Sequence, residues 1–275
     1  MPGLSIVACV NLKGGVGKTA IAVNFAAYCG RKGMRTLLVD LDPQTNATFS
    51  CISVDDWEEH AASNGTVADL FGARTHTSAE GKQKGLSTIV RKNVWKNMDL
   101  IPSNVELFTI DLELAGATAR ETKLRKALAP IMANYDMIVC DCPPNLTIPT
   151  QNALAVCTHY VVPISPDFLS ALGVGLLLRQ VKKFCDDMQV DPKLAGMILS
   201  RIGRPALHRE RTANSLREQF GDAVFDAEIH ERVPVSEAVE RNVSIYSHAP
   251  NSPAAQEFSA MSEELLGRLA AKDKK

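Results

Sequence analysis

Lys18 and Thr19 close the run Lys13-Gly14-Gly15-Val16-Gly17-Lys18-Thr19. An ammonium next to a hydroxyl, behind a glycine-rich turn, is the pairing that holds a row of phosphates and its magnesium ion. Gly14, Gly15 and Gly17, with Val16 between them, let successive backbone N–H groups curl around an anion. Lys18 would reach the outer phosphates, and Thr19 would ligate Mg²⁺. Lys13 adds a second cation at the head of the loop. It is redundant at a site that already has Lys18. It makes sense if it reaches a phosphate bound by a partner subunit, as an arginine finger does in trans.

Three carboxylates suit the same chemistry. Asp40 and Asp42 stand in Asp40-Leu41-Asp42-Pro43-Gln44, where an apolar run ends. Carboxylates at the carboxyl end of a buried strand lie where ligands bind in doubly wound sheets. A spacing of two lets both face one side of an extended segment. One can support Mg²⁺ and its waters, and the other can orient or deprotonate an attacking water. Asp141 ends a second apolar run, Met137-Ile138-Val139-Cys140, and would hold a Mg²⁺-bound water. Pro143 and Pro144 follow, stopping the strand and stiffening a loop that faces the last phosphate.

These groups need a scaffold to hold them. Leu4 to Val10 reads as a buried strand entering the glycine turn, and Ala20 to Arg31 as the helix leaving it. The positive end of that helix would add to the anion site. Further strands are expected at 36–39, 98–102, 137–141, 159–164 and 194–199. Helices are expected at 105–115, 121–135, 169–188, up to Phe220, and at 253–271. Strands alternating with helices predict an α/β chain: a single-domain P-loop fold over 1–275, with a mainly parallel, twisted sheet covered on both faces. Residues 51–97 read as a variable region of helical pieces and a surface loop.

With 275 residues, 45% of them hydrophobic, the chain can fill one large core. A net charge of −1 excludes a general polycation, so contact with nucleic acid needs a local patch. Arg201, Arg204, Arg209 and Arg211 form one candidate patch, and arginine suits phosphate contacts. No apolar run is long enough to span a membrane, and no signal peptide is evident. The terminal amphipathic stretch carries Glu263 and Glu264, which argues against a membrane-surface helix. The seven cysteines read as reduced core residues of a cytoplasmic protein. Cys140 and Cys142 are expected to turn to opposite faces of their strand, which would deny them a shared metal.

The run Lys13–Thr19 resembles the deviant Walker A loop of the ParA/MinD/nitrogenase-iron-protein family. Asp40–Thr48 is similar to switch I of ParA-type ATPases, and Asp141-Cys142-Pro143-Pro144 to their switch II. The segments Asp167–Leu177 and Val235–Ala238 extend the resemblance over almost the whole chain. It looks like the small ParA/Soj type. The resemblance implies ATP and Mg²⁺ as ligands and an ATP-dependent homodimer in which Lys13 crosses to the other subunit's nucleotide. It makes Lys13, Lys18 and Asp42 catalytic, and Thr19, Asp40 and Asp141 the residues around the metal. It also implies ATP-dependent binding to nonspecific DNA, location on the nucleoid, and hydrolysis stimulated by a ParB-like protein or cargo adaptor. The pattern departs at Glu231 and Pro234, where relatives commonly carry DNA-binding arginines, leaving Arg232 as the cation there. Competing readings are a metal-cluster carrier or reductase, a MinD-like membrane-surface positioning ATPase, and an ATP-dependent synthetase on the same scaffold.

Overall fold

The structure, a computed structural model, describes residues 3–72, 86–203 and 207–272. Its frame is one eight-stranded sheet. The strands are β1 (Ser5–Cys9), β2 (Thr36–Asp40), β3 (Arg91–Trp95), β4 (Met98–Ile101), β5 (Met137–Asp141), β6 (His159–Ile164), β7 (Lys193–Ile202) and β8 (Ile229–His230). Their order across the sheet is β3-β4-β2-β5-β1-β6-β7-β8. Every neighbouring pair is parallel except β3 and β4.

The apolar runs of the sequence are the central strands. Every residue of β1, β2, β5 and β6 is buried, because helices cover both faces of a parallel sheet. Alternate residues feed two cores. Ile6, Ala8, Ile138 and Cys140 face one, with the helices Lys123–Leu128, Ile148–Val156 and Phe168–Met188 on that side. Val7, Cys9, Leu38 and Val139 face the other, which the helices Lys18–Arg31 and Pro253–Lys272 close with Phe25, Phe258, Met261 and Leu265. The apolar face of the terminal helix is thus spent inside the molecule.

Three expectations are corrected. The stretches 105–115 and 121–135 are not two long helices. They break into a 3₁₀ turn at Val105–Phe108, a turn of helix at Ile110–Glu113, a short helix at Lys123–Leu128 and a 3₁₀ turn at Met132–Asn134. Gly116 and Pro130 lie between the pieces, and proline cannot donate to a continuing ladder. Cys140 and Cys142 face the same core rather than opposite ones, since residues two apart share a side of an extended chain. Finally, β3 went unforeseen. Arg91, Lys92 and Asn93 make a half-exposed edge strand, without the apolar run that marks a buried one.

Within 51–97 the described residues form the helices Val54–Asn64, Val67–Phe71 and Leu86–Ile89 before β3. Ser53 caps the first by accepting from the Asp56 N–H at 3.1 Å. The second opens with a capping box between Thr66 and Asp69.

Candidate functional site

The predicted residues converge at the carboxyl ends of the central strands. The loop 10–17 leaves β1 and enters the helix Lys18–Arg31. Gly15 and Gly17 have φ values of 72° and 84°, a region that L side chains rarely adopt, so the loop's curl depends on glycine at these positions. Asn11 ties down the entry: its side chain donates to the Pro163 carbonyl at 2.6 Å and accepts from the Lys13 N–H at 2.9 Å. A β-carbon on Gly14 would stand 3.8 Å from Pro144, so the stiff loop after β5 packs directly on the glycines.

The two cations of the loop diverge. Lys18 is only 6% exposed, and its ammonium donates to the Lys13 carbonyl at 3.0 Å. Burial lowers its pKa, while the nearby Asp141 and Asp42 pull it back up. Lys13 points outward, where its ammonium bonds both oxygens of Asp167 at 2.9 and 2.8 Å.

The three carboxylates are all buried. Asp40 and Asp141 end adjacent strands in register, and both are fully buried. Asp40 accepts from the Thr48 hydroxyl at 2.7 Å, the Thr48 N–H at 2.8 Å and the Asp42 N–H at 3.1 Å. Burial still pushes its carboxyl up to about 7. Neither Asp141 oxygen has a partner at hydrogen-bonding geometry. Burial first, and Asp40 second, drive its pKa well up, against the Thr19 hydroxyl and Lys18, which favour the charged form. An orphaned buried carboxylate beside Thr19 and Lys18 is a donor set that fits a divalent cation bound together with phosphate oxygens. Among the described residues no cluster of three or more histidine, cysteine or carboxylate side chains could hold a metal alone, so the phosphates would complete the shell.

Asp42, two residues beyond Asp40, is 6% exposed. It accepts from the Gln44 N–H at 2.9 Å, and its own carbonyl accepts from the Ser103 hydroxyl at 2.7 Å. Ser103 in turn accepts from the Trp57 indole at 2.9 Å. Sequence reading missed Ser103 and Trp57, since neither lies in a motif. It also missed a cavity of about 470 Å³ beside the loop, whose walls include Gly17, Ala20, Arg201, Glu231, Val235 and Phe258. Only the fold brings the end of β7 and the segment 229–239 to the glycines.

The candidate arginines have different surroundings. Arg201 lies over the phosphate loop and bonds the Gly15 carbonyl and Glu231. Arg232 pairs with Glu257 at 2.6 Å. Arg209 is half-buried against Gly203, while Arg211 is exposed on the helix Leu207–Phe220. Arg204 lies outside the described residues.

A parallel sheet with a glycine loop at its first strand and buried acids at the two neighbouring strand ends defines a P-loop nucleotide-binding protein. Comparisons agree. Residues 4–195 match the family model described as AAA domain. The chain is 32% identical over 263 residues to the chromosome-partitioning ATPase Soj of Thermus thermophilus, covering 96% of each. In fold it is similar to apo McdA of Cyanothece, with a TM-score of 0.78, 18% identity and coverage of 95% of this chain and 99% of that one. It is also similar to cobyrinic acid a,c-diamide synthase of Mycobacterium smegmatis with bound ADP and magnesium, with a TM-score of 0.77, 25% identity and coverage of 98% and 96%. The chain belongs to the Soj/ParA-type family of partition ATPases.

Proposed function

We propose that this chain is an ATP-driven switch, one domain throughout, that joins two copies around nucleotide to position DNA or a protein cargo. The observation that carries this reading is the pairing of a buried Lys18, among Asp42 and Asp141, with an outward Lys13 on the same loop. Lys18 and the loop N–H groups bind and neutralise the phosphates of ATP. Thr19 and Asp141, with Asp40 behind them, would hold Mg²⁺, which when bound draws charge from the phosphate oxygens. Asp42 orients the attacking water. Its backbone is fixed through Ser103. Lys13 serves the nucleotide of the second copy, which makes dimerisation and hydrolysis interdependent. The cavity of about 470 Å³ has room for the base and ribose.

Binding of nonspecific duplex DNA by the dimer, and with it a place on the nucleoid, rests on Arg209 and Arg211 together with Arg204. Stimulation by a ParB-like protein or cargo adaptor completes the cycle. The test is equilibrium titration with ATP, followed by sedimentation with a non-hydrolysable analogue. An absence of ATP-dependent dimers would overturn the switch.

A second reading, an ATP-dependent synthetase, has one specific observation in its favour, the likeness to the M. smegmatis synthase. Turnover that depends on a small-molecule acid and not on DNA or a protein partner would favour it. The cluster-carrier and membrane readings find less support. All seven cysteines are buried, and the apolar side of the terminal helix is in the core.

A further inference from the structure

Two consecutive residues of β7, Ser200 and Arg201, grip two consecutive peptides of the phosphate loop. The Ser200 hydroxyl donates to the Val16 carbonyl at 2.5 Å. The Arg201 guanidinium donates to the Gly15 carbonyl at 2.8 Å. Neighbours on a strand ordinarily point to opposite sides. Here the pairing of β7 with β8 slips between Ser200 and Ile202, and Arg201 takes a left-handed φ of 52°. Such an irregularity re-aims a side chain, and this one turns Arg201 back onto the loop that Ser200 already holds. The far end of the guanidinium is fixed by Glu231 at 2.6 Å. Arg201 in turn holds the Glu231 carboxyl below its usual range.

The consequence follows from peptide geometry. The chain has no cis peptide bond among its described residues, and in a trans peptide the carbonyl of one residue and the N–H of the next point in opposite directions. A Gly15 carbonyl held outward turns the Val16 N–H inward, and a Val16 carbonyl held outward turns the Gly17 N–H inward. We propose that Ser200 and Arg201 are positioning residues that brace the phosphate loop from outside, so that the Val16 and Gly17 N–H groups converge on the diphosphate of a bound nucleotide. The inference rests on the nucleotide-binding reading above. It gives Glu231 a role as well, as the carboxylate that seats Arg201.

The experiment compares wild type with Arg201→Ala, Arg201→Lys, Ser200→Ala and Glu231→Gln, titrating each by calorimetry with ATP, ADP and inorganic pyrophosphate. Arg201→Ala should weaken all three by about tenfold, the worth of one hydrogen bond. Its KM for ATP should rise by more than its kcat falls. Ser200→Ala should act in the same direction. Arg201→Lys should recover part of the loss, and Glu231→Gln should lose less than Arg201→Ala. The thermal midpoint without nucleotide should hold, because a half-exposed ion pair adds little to stability.

Unchanged pyrophosphate affinity alongside weaker ADP binding would show that Arg201, which also lines the cavity, serves the base or ribose and not the loop, and would overturn the brace. So would a fall in kcat with affinity intact. If wild-type protein binds neither nucleotide, it is the nucleotide reading that fails. If wild type binds and Arg201→Ala binds equally well, only the brace fails.

Discussion

Lys13 and Lys18 share one short loop and live in opposite surroundings. Lys18 is walled in, with the acids Asp141 and Asp42 close enough to offset part of the cost of its burial. The side chain of Lys13 is 44% exposed and rests on Asp167, whose side chain is 36% exposed. A buried charge that loses its partners is costly, whereas an exposed pair is worth less than about 1 kcal/mol. The inner cation is therefore fixed in place, and the outer one can leave at little cost. This is what a switch requires: one lysine that belongs to its own site, and one that can be given to another.

The contrast can be broken at four points. The largest effect is expected at Asp42. Asp42→Ala should slow hydrolysis by roughly 10²–10⁴-fold while retaining ATP, and should accumulate the nucleotide-bound dimer. Single-turnover kinetics with the activating partner provide the check, and wild-type rates would move the water-positioning role elsewhere. Lys18→Ala should weaken ATP binding by about 10²-fold through loss of a charge-assisted contact. Equal affinity in a titration would sink the assignment of Lys18 to the phosphates.

Lys13→Ala should leave nucleotide binding by the monomer largely intact and reduce dimerisation or activated turnover. Analytical ultracentrifugation with a non-hydrolysable analogue separates this from the Lys18 defect. A fully dimeric, normally active variant would contradict the cross-subunit role. The smallest effect belongs to Asp167→Asn, which weakens the ion pair with Lys13. It should tighten the ATP-dependent dimer by less than about fivefold, matching a pair worth under ~1 kcal/mol. A large loss of dimer would show instead that Asp167 itself makes the intersubunit contact.

The arginines mark a second contrast, between a region the sequence described well and one it did not. The central strands were legible because full burial demands uninterrupted apolar runs, and the acids at their ends interrupt those runs visibly. Asp40 and Asp141 could each be placed at a strand end from the motifs alone, but that the two strands are adjacent and in register came only with the sheet order. The arginine cluster was legible only as a cluster. Arg201 and Arg209 come from different elements, the end of β7 and the helix Leu207–Phe220, yet both act on the carboxylate of Glu231, which is distant in sequence. Arg232 looked like the last free cation of its segment, yet Glu257 from the terminal helix pairs with it. Side-chain pairing across long sequence separations leaves no local mark.

The sequence by itself determined the loop chemistry, the buried strands and the family, because each depends on short-range rules: glycine where φ is positive, apolar runs where both faces are covered, a carboxylate where a strand ends at a ligand. Tertiary structure alone decided which partners those groups meet. It set Lys13 on Asp167, Ser103 under Asp42, Ser200 and Arg201 behind the glycines, and the cavity beside them. The physical reason is distance along the chain. The sheet order brings β7 and β8 to the side of β1 only after all the intervening strands are placed, and a hydrogen bond between residues so far apart is specified by the whole packing rather than by either residue.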